Sequence, residues 1–282
     1  MKKQLLFLFF ALMALCASAA PNDVFSVGDI TYSVTLDSYS GKPGIVAVKS
    51  LSAQGKAKTS LKLDIPGVVS YNGYKYKVGV INYDAFKGQS NISVVQIRYN
   101  ITRIAQSAFE NCTSLTTVYM PSSLTNVGYR AFGGCTALRS VYYANATPSS
   151  TSVVPGSFPE NSGMTLYVSK AHPNSVENAR KVTAFDYFST IKKHEYACDF
   201  ILGEHGYFCV TKAPLSDGST RGEMSLVGVY ADDNFNYAWS GAYNNGIADF
   251  DMVEIADSAC LGNTNIKNVN LTGYSKLRRI GE

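Results

Sequence analysis

The chain has 282 residues, 46% of them apolar and 16% charged, with a formal net charge of +4. Such a chain is long and apolar enough for two domains with buried cores. So mild a charge, without a run of Lys and Arg, argues against a phosphate-tracking nucleic-acid surface.

Lys2 and Lys3 precede an apolar run from Leu5 to Cys16, and Ala17-Ser18-Ala19 supplies the small residues a signal peptidase reads. Residues 1–19 are therefore expected to be a secretory signal peptide, sending the chain to the cell surface or the medium. Leu15 stands before Cys16 where lipid attachment wants a small residue, which favours an ordinary signal-peptide cysteine over a lipoprotein. No later stretch reaches the ~18 apolar residues of a membrane span. The exported chain keeps Cys112, Cys135, Cys198, Cys209 and Cys260, an odd count that cannot be a closed disulfide framework.

Residues 20–77 read as a β-rich cap. Asp23 to Thr35 alternates around Gly28-Asp29 as a hairpin, Gly44 to Leu51 reads as a strand, and Gln54 to Ser60 as a polar loop. Leu61 to Ile65 alternates again, and Asn72-Gly73 predicts a second hairpin, since both turn residues tolerate positive φ.

Residues 78–145 repeat. Val78, Ile101 and Leu124 share one slot, Ile81, Ile104 and Val127 the next, and Phe86, Phe109 and Phe132 a third, every step being 23 residues. Ile92, Leu115 and Leu138 follow, then Val95, Val118 and Val141, then Ile97, Met120 and Tyr143. A fixed period with apolar residues in fixed slots predicts a mainly β solenoid whose coils bury one another. In each coil Leu115-xx-Val118-x-Met120 gives a short strand, stacked strands give a parallel sheet, and Phe86, Phe109 and Phe132 form a column in the centre. The same core includes Leu115, Leu138, Cys112 and Cys135.

The pattern I-xx-I-xxx-AF-xx-C-xx-L-xx-V-x-φ-P from Ile101 to Pro121, with φ apolar, resembles the BspA-type leucine-rich repeat (type 5) of bacterial surface proteins. The resemblance implies a leucine-rich-repeat solenoid closed at its C-terminal end by a strand and a short helix. It also implies a non-catalytic binding or adhesion role, relatives engaging host matrix proteins or other cells.

The closing cap is expected over residues 146–192. Ala144 to Ser162 reads as a loop, Met164 to Val168 as a strand, and Ser175 to about Ser189 as a helix. Asn174 and Glu177 would form its capping box, and Val176, Ala179, Val182 or Thr183, and Phe185 its buried stripe. The pattern then starts again: residues 193–250 echo the first cap, and Met252, Ile255, Ala259, Ile266, Val269 and Leu271 match the first array at an offset of 174. Residues 251–282 are accordingly a second array, and its brevity predicts a chain continuing past Glu282 and fraying from about Asn263.

Chemistry-bearing motifs are sparse. His172, His194 and His205 lie outside the repeats, and neither a metalloprotease, nucleophile-elbow, phosphate-loop nor Cys-x-x-Cys pattern occurs. No enzymatic activity, cofactor or metal is expected. Asp232-Asp233-Asn234-Phe235-Asn236 reads as a solvated turn ahead of a Ca²⁺ loop, lacking the required Gly and terminal Glu. Cys112 and Cys135 share a slot in neighbouring coils, but stacking at about 4.8 Å exceeds the ~3.8 Å Cβ separation of a disulfide, which favours buried thiols. Cys198 and Cys209 remain a possible pair across a hairpin.

What remains is surface. On the outward side of the strands stand Gln96, Tyr119 and Tyr142 in successive coils and Asn270 in the second array, flanked by Val94, Arg98, Thr117 and Ser140. Tyrosine on a rigid sheet offers contact area at low entropic cost, while β-propensity alone also places it there. Gln96, Arg98, Thr117, Tyr119, Ser140 and Tyr142 are the candidate binding surface for an extracellular protein or glycan. The alternative is a carbohydrate-binding or carbohydrate-processing site within 144–248, where Trp239 offers a face for a sugar.

Overall fold

The computed structural model describes residues 22–37, 43–145, 147–160, 163–170, 172–194 and 197, five strands between 199 and 255, and residues 277–280. The signal peptide expected over 1–19, Cys198, His205, Asp232 to Asn236, Trp239, Cys260 and the stretch from Asn263 to Leu271 lie outside the described residues.

Val24–Val27 (β1) and Ile30–Leu36 (β2) form the expected hairpin, and Gly44–Leu51 (β3) extends it. The stretch expected to be a loop from Gln54 instead begins as one helical turn, Ala53–Ala57 (α1). Ser52 starts it: its hydroxyl accepts the Gly55 amide at 3.2 Å and donates to the Gly28 carbonyl at 2.8 Å, a cap that the sequence reading passed over. Leu61–Ile65 (β4) follows, then Val68–Tyr71 (β5) and Tyr74–Ile81 (β6), joined through Asn72 and Gly73 at φ 49° and 80°.

Beyond β6 each coil contributes to two sheets. Ile92–Ile97 (β7), Thr117–Met120 (β9) and Ser140–Tyr143 (β11) stack in parallel, with β4 added before β7. On the other side, the two-residue strands Arg103–Ile104 (β8) and Asn126–Val127 (β10) continue from β6, so the first sheet runs β1-β2-β3-β6-β8-β10 with β5 beside β6. The cap thus shares both sheets with the array and covers its first coil.

A third ladder runs through the Ala-Phe turns. The amides of Phe86, Phe109 and Phe132 donate to the carbonyls of Ala108, Ala131 and Ser157 at 2.7, 2.8 and 2.8 Å. Two backbone positions per coil are left-handed: Asp84, Ser107, Arg130 and Gly156 two residues before the ring, and Gly88, Asn111 and Gly134 two residues after it. Three of the first group carry side chains and accept a cost of about 1–2 kcal/mol each, which shows how strongly the stacked turn dictates the local backbone.

The ring column is longer than the repeats suggested. Phe86 to Phe109 measures 5.0 Å between centroids, Phe109 to Phe132 5.2 Å, and Phe132 to Phe158 5.3 Å. Phe158 lies in the stretch expected to be only loop, where Val153 also bridges in parallel to Val127. Both occupy repeat slots at a step of 26 instead of 23, and that slip of three hid them. Met164–Ser169 (β12) then pairs in parallel with β11.

The expected long helix is a correction. Ser175–Arg180 (α2) is one and a half turns, Thr183–Phe185 is a 3-10 turn, and Phe188–His194 (β13) is a strand parallel to β12. The β-branched and aromatic run from Val182 onward favours extended backbone, and it delivers Phe185 and Phe188 to Phe158 at 6.0 and 5.2 Å. Asn174 makes no capping hydrogen bond; the Ser175 hydroxyl donates to the Ser169 carbonyl at 2.8 Å, and Glu177 pairs with Lys181 at 2.9 Å. Ala179, Val182 and Phe185 are buried as expected, Val176 packs partly buried against the core, and Thr183 is exposed.

A third sheet contains Asp199–Leu202 (β14), Gly206–Lys212 (β15), Gly222–Val229 (β16), Ala242–Asn244 (β17), Asp249–Ile255 (β18) and Arg279–Ile280 (β19), in the order β14-β15-β16-β18, with β17 and β19 beside β18. In this sheet Phe200 stands opposite Cys209.

One carboxylate ties three coils together. Glu110, 9% exposed, is held by Lys87 at 2.9 Å from the preceding coil and by Arg130 at 2.6 Å from the following one. The Lys87 hydrogen bond, with those of Arg130 and Ser107, lowers its pKa from 4.5 to about 2 against the opposing effect of desolvation. A depressed carboxylate stabilises the fold above its unfolded pKa and loses that contribution as pH falls toward the folded value. Thermal unfolding between pH 6 and pH 2 should therefore show a decline beginning near pH 4.5. Glu110→Gln should flatten that decline and remove on the order of 1–2 kcal/mol at neutral pH, the partners' exposure discounting the full shift. An unchanged pH slope in the variant would show that Glu110 carries none of it.

Candidate functional site

The six-stranded parallel sheet presents one continuous row of side chains. Strand pairing places Asp64, Gln96, Tyr119, Tyr142, Tyr167 and Lys192 side by side across β4, β7, β9, β11, β12 and β13. Two residues toward the N-terminus of each strand runs a second row, Val94, Thr117, Ser140, Thr165 and Thr190. These side chains alternate with the buried Val95, Val118, Val141 and Leu166, and this alternation points both rows away from the core.

The tyrosines form a ladder. Tyr119 and Tyr142 stack at 4.6 Å and 15°, Tyr142 and Tyr167 at 4.4 Å and 9°. Strand spacing of about 4.8 Å sets these distances, and each stacked pair contributes about 0.5–1.5 kcal/mol beyond area burial. His194 meets the ladder edge-on, 5.3 Å from Tyr142 and 5.1 Å from Tyr167, and the Lys192 ammonium lies 5.2 Å from the Tyr167 centroid. At the other end Arg98 grips Asp64 in a two-pronged pair, Nε to Oδ1 at 2.8 Å and Nη2 to Oδ2. Arg98 is thus committed to its neighbour, which fixes the end of the surface.

The sequence-expected residues Gln96, Thr117, Tyr119, Ser140 and Tyr142 are brought together as one face. Sequence reasoning missed Asp64, Thr165, Tyr167, Thr190, Lys192 and His194. A signal was present: Thr165-x-Tyr167 repeats Thr117-x-Tyr119 and Ser140-x-Tyr142, but at a step of 25. His172 is exposed on the loop before α2, away from this row in sequence and strand. Asn270 lies outside the described residues.

Phe86, Phe109, Phe132, Leu115, Leu138, Cys112 and Cys135 are fully buried. Both cysteines carry thiols, not a disulfide, and each donates to the carbonyl of the Phe one coil earlier, Cys112 to Phe86 and Cys135 to Phe109, at 3.1 Å. The Cys112 contact, then burial, raises the Cys135 pKa, so the thiolate nucleophile is suppressed. Among the described residues no group of three His, Cys, Asp or Glu is arranged to hold a metal ion, and no helix is long and apolar enough to cross a membrane.

Residues 74–196 match the family described as the BspA type leucine-rich repeat region, in 6 copies. The repeat region is of the BspA type. This match runs past Tyr143 through β13, in line with the fourth ring of the column and the two added strands. No curated protein matches the chain. Among solved structures, the chain is similar to a leucine-rich repeat protein from Bacteroides ovatus at 17% identity, covering 91% of this chain and 76% of that one, with a TM-score of 0.38. A leucine-rich cell surface protein from Faecalibacterium prausnitzii matches at 14% identity over 93% and 77%, TM-score 0.37. A leucine-rich repeat protein from Bacteroides capillosus matches at 22% identity over 61% and 98%, TM-score 0.38. Likeness at this level says nothing of a ligand.

Proposed function

We propose that the chain is a non-catalytic binding module, exported by residues 1–19, that captures an extracellular macromolecule on the tyrosine-bearing face of its parallel sheet. The observation that carries this reading is the ladder Tyr119, Tyr142, Tyr167 with Lys192 and His194 at its end, a rigid row of aromatic edges on fixed backbone. Stacking has already ordered these rings, so a partner immobilises little further side-chain entropy when it docks.

The geometry also favours a protein over a sugar as partner. A pyranose ring packs on an aromatic face, and here Tyr142 has both faces covered by its neighbours. Tyr142 therefore offers its edge and hydroxyl, and with the neighbouring Thr and Ser row and one ammonium these suit a polar protein surface. An adhesion role fits this reading.

The second part of the chain is proposed to be a second module of the same design, its strand order repeating that of the first sheet. Biolayer interferometry against a panel of matrix proteins and glycans is the test. We expect saturable binding to at least one protein, weakened about tenfold or more by Tyr142→Ala with thermal unfolding nearly unchanged. Absence of saturable binding across the panel, or binding indifferent to Tyr119→Ala, Tyr142→Ala and Tyr167→Ala together, would overturn the assignment.

A further inference from the structure

Residues 20–194 contain 17 Lys and Arg against 9 Asp and Glu, a net +8. Five of those acids, Asp29, Asp64, Asp84, Glu110 and Glu177, are each paired with a Lys or Arg of the same region. Cations in excess remain on the surface, and the outward face of the first sheet gathers several of them.

On β6 the exposed Lys75 and Lys77 alternate with the buried Tyr76 and Val78, and on β3 Ile45 and Lys49 are exposed on the same side. Strand pairing sets Lys77 between Ile45 and Val68, and it sets the exposed Arg103 of β8 between Val80 and Asn126. None of the seven strands of this sheet contains an acidic residue. Among the described residues Lys49 and Lys77 enter no ion pair. Arg103 donates to the neutral Tyr83 hydroxyl at 2.8 Å, which leaves its charge uncancelled. At ~3.3 Å per residue along a strand and ~4.8 Å between strands, Lys49, Lys77 and Arg103 stand about 10–14 Å apart. Thr31, Ser33 and Thr35 of the neighbouring β2 line the same face with hydroxyls.

That composition selects among partners. A protein partner is held by aromatic anchors at the centre of a patch, whereas Phe25, Tyr32 and Tyr76 of this sheet turn inward and are buried, and Tyr71 and Tyr74 pack against the same core. Duplex DNA presents a charge about every 1.7 Å, far denser than cations about 10–14 Å apart can follow. An acidic polysaccharide can carry its charges about a disaccharide apart with hydroxyls between them, and this face has the complementary pattern. Just past the end of β6, Tyr83 is 59% exposed with the Arg103 guanidinium 5.5 Å over its ring, which leaves aromatic surface for a sugar.

We propose that the lysine-bearing face of the first sheet binds an anionic polysaccharide, with Lys49, Lys77 and Arg103 meeting its acid groups. The field of a basic face without acids draws such a chain in, and the hydroxyls and the Tyr83 ring meet the sugars between the charges. This face belongs to a different sheet from the tyrosine ladder, so the two readings stand or fall separately.

The test is fluorescence anisotropy of labelled chondroitin sulfate titrated with the full chain in about 50 mM and about 300 mM NaCl, which span weak and strong screening. We expect saturable binding at low salt, weakened about tenfold or more at high salt, and none to labelled neutral dextran. Lys49→Gln/Lys77→Gln/Arg103→Gln should weaken it about tenfold or more with thermal unfolding nearly unchanged, since all three side chains are exposed. Arg139→Gln/Lys170→Gln/Arg180→Gln removes the same charge from exposed positions off this sheet and should leave most of the binding in place. Absence of saturable binding at low salt overturns the proposal, as does equal binding of dextran. Binding that survives the first triple variant, or that falls equally with the second, overturns it as well. Tighter binding of an oligothymidylate or of phosphatidylglycerol vesicles would also sink it, by showing that the face prefers phosphate to a sugar chain.

Discussion

Phe109→Ala is expected to destabilise the chain by about 3–5 kcal/mol, the usual cost of truncating a buried phenylalanine. Phe109 is fully buried with rings on both sides, Phe86 at 5.0 Å and Phe132 at 5.2 Å, so the side chain leaves a gap in the middle of the column. The gap cannot close by relaxation, because the Phe86, Phe109 and Phe132 amides are tied to the next coil at 2.7–2.8 Å and hold the coils apart. Cys135 also donates to the Phe109 carbonyl, so any shift of this backbone strains a second coil. Urea unfolding followed by far-UV circular dichroism checks the figure through the transition midpoint. A loss below about 1 kcal/mol would show that the column packs loosely and does not set the spacing. Nearest-neighbour coupling further predicts that the transition broadens or splits, since one weakened interface divides the solenoid.

Gly67→Ala is expected to give the next largest loss, toward the upper end of the ~1–3 kcal/mol typical of overpacking. Gly67 lies between β4 and β5, where the cap meets the array. An added Cβ would stand 1.9 Å from the Tyr99 carbonyl oxygen and 3.1 Å from its carbon, both backbone atoms that cannot rotate away. The same residue's carbonyl accepts the Val78 amide at 2.9 Å and the Asn100 side chain at 3.3 Å, so retreat of the Gly67 backbone breaks the seam on the other side. Gly79→Ala is the control: its Cβ meets only Ile45 Cγ2, at 3.5 Å, which is ordinary contact. Thermal unfolding of the pair should separate by several degrees, at about 2–4 °C per kcal/mol for a chain of this size. Equal midpoints would mean that the seam yields where the backbone predicts it cannot.

The first prediction comes from the repeat, which was legible because its apolar slots recur every 23 residues, whereas the clash at Gly67 is visible only in the folded chain. The inward Val and Met positions, the Phe column, the buried thiols and the first tyrosines followed from that period and from two-residue strand alternation. The spacing failed where coils change length. Steps of 26 at Phe158 and 25 at Tyr167 look like loop and cap in sequence, because a fixed-period comparison has no way to absorb three extra residues. In space the slots realign, since hydrogen bonding to the previous coil fixes each strand more tightly than chain length does.

The sequence by itself determined the solenoid, its core and the outward tyrosines, since each is a local period written in every coil. Tertiary structure alone decided that the helix after Asn174 stops at Arg180 and gives way to a strand. The pull there is long-range: Phe185 and Phe188 gain a buried place against Phe158, which propensity along the chain does not record. Only the folded sheet, likewise, brings Lys192 and His194 beside Tyr167, residues 25 and 27 positions away in sequence, because a parallel register is a property of two coils and neither segment encodes it alone.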